Sequence, residues 1–174
     1  MPLYALGDAE PDIHPTAYVH PDAVVIGNVT LGPESTVWPT AVLRGDDGRI
    51  EVGARTSIQD GSIIHTTLRQ ATVIGDEVTV GHNVHIEAAT IGNRALISSG
   101  SVVLNGSTVG AGAIVAAGAV VSPGAEVPDR AMALGVPARV RDGYEVPEDR
   151  WKHSVESYVD RGRRFREQLR RLED

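Results

Sequence analysis

The chain contains no cysteine among its 174 residues, and aromatic residues make up only 4% of it. Without cysteine it has no disulfide framework and no thiolate zinc site, so a metal ion would have to be bound by histidine or carboxylate. The scarcity of aromatic side chains argues against a conventional core built around Phe, Tyr and Trp. Small and β-branched residues must fill the interior, and the length suits one domain.

Long apolar runs and an excess of basic residues are also missing. No window approaches 18 uninterrupted apolar residues, and Met1–Asp8 lacks the basic and then apolar run of a secretory signal. We therefore expect a cytoplasmic protein that spans no membrane. The net charge is −7, and the acidic excess lies in residues 1–143. This charge argues against nucleic acid and anionic membranes as partners, because both are bound through Lys and Arg.

The sequence does contain a repeat, in which an aliphatic residue recurs every six positions with two short insertions and one deletion. The repeating residues are Ile13, Val19, Val25, Leu31, Val37, Leu43, Val52, Ile58, Ile64, Ile74, Val80, Ile86, Ile91, Ile97, Val103, Val109, Val115, Val121 and Val127. Because six is even, all these side chains point to the same side of their strands. Each hexad predicts a short strand and a tight turn, and the series predicts a solenoid. The alternative, a β-sandwich, would show irregular strand lengths.

The end of the chain has a different pattern. After Pro147, with Glu148 and Asp149 expected in the first helical turn, apolar residues recur at spacings of four and three. They are Trp151, Val155, Tyr158, Gly162, Phe165, Leu169 and Leu172. We predict a β-helix domain over 1–143 and a C-terminal helix over 144–174, which packs on the solenoid or on a neighbouring subunit. A coiled-coil seam is the alternative for this stripe.

Histidines are the residues best able to carry chemistry here. When the insertions are subtracted, Arg44, His65 and Glu87 are each one coil apart, so we expect them to stack on one outer face. His82 lies one prism edge away, and a neighbour around a threefold axis could bring it to His65 and Glu87. Two imidazoles and one carboxylate with an open fourth position are typical of catalytic zinc. Ordinary surface positions are expected for His14, His20 and His153.

Two segments of the sequence resemble the gamma-class carbonic anhydrase family. They are LRGDDGRIEVGARTSIQDGSIIH at 43–65 and IGDEVTVGHNVHIEAATIG at 74–92, which carry LRGD, IQDG and GH motifs. Hexapeptide acyltransferases share the repeat but not this motif series. The resemblance covers about residues 10–140 and implies a mainly β fold: a left-handed parallel β-helix of three hexads per coil with a C-terminal α-helix. It also implies a homotrimer and Zn²⁺, although imidazole and carboxylate would accept Fe²⁺ or Co²⁺ too.

The resemblance further implies roles for individual residues. His65 and His82 match metal ligands, and Glu87 stands where the family has its third ligand histidine. Gln59 matches a residue that orients metal-bound solvent or bicarbonate, and Tyr158 matches a tyrosine near the site. The residues that match supports of the subunit interface and the ligands are Arg44, Asp46 and Asp60. His85 lies two residues before Glu87 on the same side of the strand, which makes it a substitute ligand, a proton shuttle or a partner of a ligand.

The function that these residues imply is metal-dependent, reversible hydration of CO₂ to bicarbonate by a metal-bound hydroxide at a trimer interface. Two alternatives stay open. The fold could serve acyl transfer or thioester hydrolysis on coenzyme A substrates, with a histidine as general base and no metal. It could also serve as a non-catalytic trimeric scaffold that binds a metal or an anion.

Overall fold

The computed structural model describes residues 3–172. The strands in chain order are β1 (Leu3–Tyr4), β2 (Asp12–Ile13), β3 (Tyr18–Val19), β4 (Val24–Leu31), β5 (Thr36–Val37), β6 (Val42–Val52), β7 (Ser57–Ile58), β8 (Ile63–His65), β9 (Thr72–Ile74), β10 (Thr79–Val80), β11 (His85–Glu87), β12 (Thr90–Ile91), β13 (Leu96–Ile97), β14 (Val102–Val103), β15 (Thr108–Val109), β16 (Ile114–Val115), β17 (Val120–Val121), β18 (Glu126–Val127), β19 (Met132–Leu134) and β20 (Arg139–Val140). Helix α1 (Lys152–Gln168) follows them.

The strands stack in parallel to form the three faces of a prism. Face A contains β8, β11, β14, β17 and the first halves of β4 and β6, whereas face B contains β2, β9, β12, β15, β18 and the second halves of β4 and β6. Face C contains seven parallel strands from β3 to β19, and β20 pairs antiparallel at its end. The mainly β, left-handed hexapeptide-repeat solenoid with one C-terminal helix is therefore confirmed.

The repeated aliphatic residues form the interior of the prism. Leu43, Ile58, Ile64, Val80 and Ile86 are all 0% exposed, as the six-residue period predicts. Full burial of an aliphatic side chain of this size contributes about 1.5–3 kcal/mol. The stacked aliphatic side chains thus stabilise this fold as aromatic side chains stabilise the cores of other proteins.

Helix α1 packs on face C against β3, β5 and β7. Its Gly162 lies against Thr36, and an ion pair joins Arg163 to Glu34. On the same face the ring of Trp38 contacts Phe165 and Tyr158, with centroid distances of 5.1 and 5.7 Å. The helix therefore covers the solenoid of its own chain, whereas a domain division at residue 143 stays a prediction.

Three local expectations were wrong. The helix begins at Lys152 and has no acidic residue in its first turn, because the backbone of 147–152 turns twice, with bonds from Arg150 N to Pro147 O and from Lys152 N to Asp149 O. Glu148 and Asp149 therefore precede the helix. At the other end Leu169 adopts an extended conformation and ends it, so Leu172 is not helical.

The third error concerns His20, which is buried instead of lying on the surface. Its Nδ1 accepts a hydrogen bond of 3.1 Å from the backbone N–H of Asp22, and the ring of Tyr18 packs edge-on to it. Helix α1, which is the one helix among residues 3–172, lacks the length and hydrophobicity of a membrane-spanning segment.

Candidate functional site

Face A brings together most of the residues that the sequence singled out. Parallel pairing places Arg44 beside His65, and His65 beside Glu87, so the expected column is confirmed. Each member comes directly after a buried core residue, which directs its side chain outwards. The strand register therefore places three residues, which span 44 positions of the sequence, side by side in one continuous polar strip.

Basic and acidic side chains alternate along this strip. Arg44 forms an ion pair with Asp46, and an Asp46 carboxylate oxygen lies 3.0 Å from Nε2 of His65. On the other side of the ring, His65 Nδ1 lies 3.6 Å from Oε1 of Glu87. The second oxygen of Glu87 lies 3.4 Å from Nε2 of His85. We call these five residues the face cluster.

Asp46 is the carboxylate of the face cluster that contacts both Arg44 and His65. Burial raises the pKa of its carboxyl, but hydrogen bonds from His65, a backbone N–H and Arg44 outweigh this effect and lower the pKa overall. Asp46 is thus a carboxylate at neutral pH. It fixes the orientation of the His65 ring by accepting from Nε2.

A second pair, Asp60 and His82, lies at the prism edge between faces C and A, and we call it the edge pair. Nδ1 of His82 lies 3.0 Å from Oδ2 of Asp60, and both side chains are about half exposed, at 50% and 48%. This contact engages one ring nitrogen, and no residue among 3–172 forms a hydrogen bond with Nε2. Within one chain, His82 is not part of the face cluster.

Gln59 lies on face C directly before Asp60, and Tyr158 belongs to helix α1, which packs on the same face. Gln59 is 4% exposed, in the position after Ile58 that Trp38 occupies after Val37 one coil earlier. Tyr158 packs on Trp38 together with Phe165 of the same helix. Their roles toward solvent or substrate stay predictions.

The donor atoms of the face cluster are compatible with part of a metal site. Two ligands of one tetrahedral Zn²⁺, each about 2.0–2.2 Å from the ion, lie roughly 3.3–3.6 Å apart, and His65 Nδ1 and Glu87 Oε1 are separated by 3.6 Å. A carboxylate on the other ring nitrogen, as Asp46 provides, is typical of metal-bound imidazole. Of the three predicted ligands, one chain brings together only His65 and Glu87. The three residues fit a zinc site if His82 comes from another copy of the chain.

Sequence reasoning missed two features of these sites. Asp47 joins Asp46 and His65 in a group whose potential donor atoms all lie within 4.8 Å of one another. The pairing of Asp60 with His82 was also not predicted. The signal for it was present, because these two residues have the same separation along the chain as His65 and Glu87.

Comparison with known proteins establishes the family. The family model described as bacterial transferase hexapeptide (six repeats) matches residues 71–105 and 88–123. The chain is also 39% identical over 161 residues to carnitine operon protein CaiE of Escherichia fergusonii, which covers 92% of this chain and 82% of that protein. The chain belongs to the hexapeptide-repeat family. The family resemblance seen in the sequence is confirmed at this level.

Solved structures of this family include an X-ray structure from Bacillus cereus, described as a candidate acetyltransferase. It is 32% identical, has a TM-score of 0.91, and covers 95% of this chain and 96% of that one. A histidine mutant of perosamine N-acetyltransferase from Caulobacter crescentus, in complex with CoA and GDP-perosamine, is 26% identical with a TM-score of 0.56 and covers 75% of this chain and 56% of that one. These names refer to acetyl transfer, so the comparisons favour the coenzyme A alternative over carbonic anhydrase activity, for which they give no evidence.

Proposed function

We propose that the protein transfers an acyl group from a coenzyme A thioester to an acceptor, with His82 as the general base. The observation that carries this proposal is the 3.0 Å contact between His82 Nδ1 and Asp60 Oδ2 on a half-exposed edge. A carboxylate on one imidazole nitrogen holds the other in the form that accepts a proton. The acetyltransferase names among the similar structures support the same chemistry.

Proton transfer by the edge pair would follow a simple cycle. Nε2 of His82 takes a proton from an amine, hydroxyl or water acceptor as that acceptor attacks the thioester carbonyl. The tetrahedral intermediate collapses with cleavage of the carbon–sulfur bond, and the proton passes from His82 to the departing thiolate. The products are the acylated acceptor, or a carboxylic acid where water is the acceptor, and free CoA. Asp60 stabilises the imidazolium between the two transfers.

A homotrimer is the assembly that we propose for this activity. Face A carries an outward aliphatic column that the helix does not cover, since α1 packs on face C. The aliphatic members are Val24, Val42, Ile63, Val102 and Val120, and His85 stands between Ile63 and Val102. Ile63 is 39% exposed. A second copy that covers this column around a threefold axis would bring its edge pair towards the face cluster.

Thiol release from acetyl-CoA tests the proposal, with water and a panel of amines as acceptors. His82→Asn is expected to lower kcat about 10²- to 10⁴-fold, and Asp60→Asn about tenfold or more, because the tautomer is no longer fixed. His153→Asn, on the exposed side of α1, is the matched control and should leave the rate unchanged. Unchanged turnover in His82→Asn, or complete loss after chelation in the wild type, would contradict a metal-free histidine mechanism.

Metal-dependent CO₂ hydration is the second candidate, favoured by the separation of His65 and Glu87 described above. His65, Glu87 and the His82 of another copy would hold Zn²⁺, which supplies a water of lowered pKa and Lewis-acid polarisation. Asp46 would orient His65, and Asp60 would orient His82. His85 faces Glu87 and would hold a proton beside the site.

Replacement of Glu87 by histidine separates the two candidates. If zinc binds here, Glu87→His should keep or raise the metal content of the purified protein, and CO₂ hydration should be measurable in the wild type or the variant. Stoichiometric zinc with no hydration in either protein would instead favour the non-catalytic scaffold. An absence of zinc from both proteins would contradict any metal site at these residues.

A further inference from the structure

The prism edge between faces C and A carries a serine one coil beyond the edge pair. Strand pairing aligns Ile58 with Val80, and Val80 with Ile97. The residues two positions after each of them therefore occupy the same corner in three successive coils. They are Asp60, His82 and Ser99. The imidazole thus stands in the coil between a carboxylate and a hydroxyl group.

Backbone hydrogen bonds hold these three corners in register. The N–H of Asn83 donates to the carbonyl oxygen of Asp60, and the N–H of Gly100 donates to that of His82, each over 2.9 Å. Two strand spacings, about 9.4–9.8 Å in all, separate the backbones of Asp60 and Ser99. An imidazole that forms a hydrogen bond at each nitrogen fits this distance. Nδ1 of His82 already lies 3.0 Å from Asp60, which leaves Nε2 on the other side of the ring.

The hydroxyl of Ser99 has no structural role among residues 3–172. Several other serines of the solenoid stabilise its turns: the hydroxyls of Ser62 and Ser101, for example, each donate to a backbone carbonyl over 2.7 Å. Ser99 is exposed instead, and its hydroxyl forms no hydrogen bond with any described residue. It is therefore free to react.

Glycines leave space on both sides of the Ser99 hydroxyl. Gly81 directly precedes His82, and a Cβ built on it would lie 3.1 Å from Ser99 Oγ, so the hydroxyl lies over this glycine. A Cβ built on Gly100 would have no heavy atom within 4 Å. An acyl group on Ser99 would therefore extend into open space. Rotation of the serine side chain would bring Oγ to Nε2, and catalytic contacts of this kind commonly tighten only when substrate binds.

We propose that Ser99 is a nucleophile that forms an acyl-serine intermediate, with His82 as its base and Asp60 as the partner of that base. Carboxylate, imidazole and hydroxyl in this order activate serine for acyl transfer on several unrelated folds. The inference rests on the proposed function and makes the Ser99 hydroxyl the first acceptor of the acyl group.

The reaction then has two halves. In the first, Ser99 Oγ attacks the thioester carbonyl while Nε2 of His82 takes the hydroxyl proton. The carbon–sulfur bond breaks, the proton passes to the thiolate, and acyl-serine and free CoA result. In the second, water or an amine attacks the ester carbonyl and gives a proton to Nε2. That proton returns to Ser99 Oγ as the ester carbon–oxygen bond breaks, which releases the acid or amide and restores the serine.

A fluorophosphonate ester, which phosphonylates activated serines, tests the nucleophile without coenzyme A. Chelator-treated wild type should be labelled at Ser99, as located by mass spectrometry of its peptides. His82→Asn should slow this labelling about 10²-fold or more. Ser98→Ala, which removes the neighbouring hydroxyl, is the matched control and should be labelled at the wild-type rate. Folded wild type that is not labelled at Ser99, or His82→Asn labelled at the wild-type rate, would overturn the proposal.

Thiol release from acetyl-CoA by Ser99→Ala separates this inference from the proposed function. The variant should release thiol about 10²-fold or more slowly than the wild type, whereas Ser98→Ala should keep the wild-type rate. A full rate in Ser99→Ala would overturn the nucleophile and keep the proposed function, with direct attack by the final acceptor. Fluorophosphonate labelling of Ser99 in a wild type that releases no thiol would keep the nucleophile and overturn its action on coenzyme A thioesters.

Discussion

Gly162→Ala tests how closely helix α1 packs on face C. A Cβ built at this position would lie 2.6 Å from Cγ2 of Thr36 and 3.5 Å from Cβ of Tyr18. The first distance is far below van der Waals contact and the second is ordinary, so the conflict concerns a single methyl group. The change should therefore displace the helix or Thr36.

Two opposing effects set the magnitude. Alanine is about 0.8–1.0 kcal/mol better than glycine in a helix interior, whereas overpacking at a tight contact costs about 1–3 kcal/mol. We expect Gly162→Ala to destabilise the protein by up to about 2 kcal/mol. The Thr36→Ser background removes Cγ2 but keeps the hydroxyl that accepts from Trp38 Nε1 at 3.0 Å. There, the same alanine should stabilise the protein by about 1 kcal/mol.

Urea unfolding of the four proteins in this double-mutant cycle gives the answer, followed by tryptophan fluorescence at one fixed protein concentration. The coupling between the two positions should be about 1–3 kcal/mol. Additive effects, within about 0.5 kcal/mol, would refute the reasoning that the Thr36 methyl decides the cost.

Three further predictions concern stability. Tyr18→Phe should be neutral or stabilising by up to about 1–3 kcal/mol in urea unfolding, because the Tyr18 hydroxyl is buried without a hydrogen-bond partner among the described residues; a clear loss of stability would show a partner such as water. The hydrogen bond from Arg163 lowers the pKa of Glu34, so its contribution is present above the unfolded value near pH 4.3 and is lost as the pH falls through the lowered folded value. Glu34→Gln should therefore flatten Tm between pH 3 and 5, and an unchanged profile would exclude this contact as a source of acid sensitivity. Ile64→Ala, in the centre of the prism, should cost about 2–5 kcal/mol, and a cost below 1 kcal/mol would contradict a rigid interior.

The solenoid could be predicted because its cause is local and repeated. One aliphatic residue in six specifies a strand, its inward face and the next corner, so Arg44, His65 and Glu87 could be aligned by counting. The start of α1 could not be predicted from the sequence. Glu148 and Asp149 are suitable for the first turn of a helix, and only the turns around Pro147 exclude them from it. Burial of His20 involves the edge-on packing of the Tyr18 ring, which a local period does not encode.

The candidate site was predictable in part for the same reason. Counting along the six-residue repeat predicts where residues lie within one chain, and it correctly predicted the column on face A. It did not reveal that Asp46 fixes His65, since that contact depends on where a side chain turns after its strand position. Nor does a single chain's periodicity determine which residues of two copies meet.

The most direct test of the account is the rate of thiol release from acetyl-CoA by chelator-treated protein, measured for the wild type and for His82→Asn. The account predicts that the wild type keeps its full rate without metal and that His82→Asn loses about 10²-fold or more. Equal rates in the two proteins, or a wild type that needs added zinc, would contradict it.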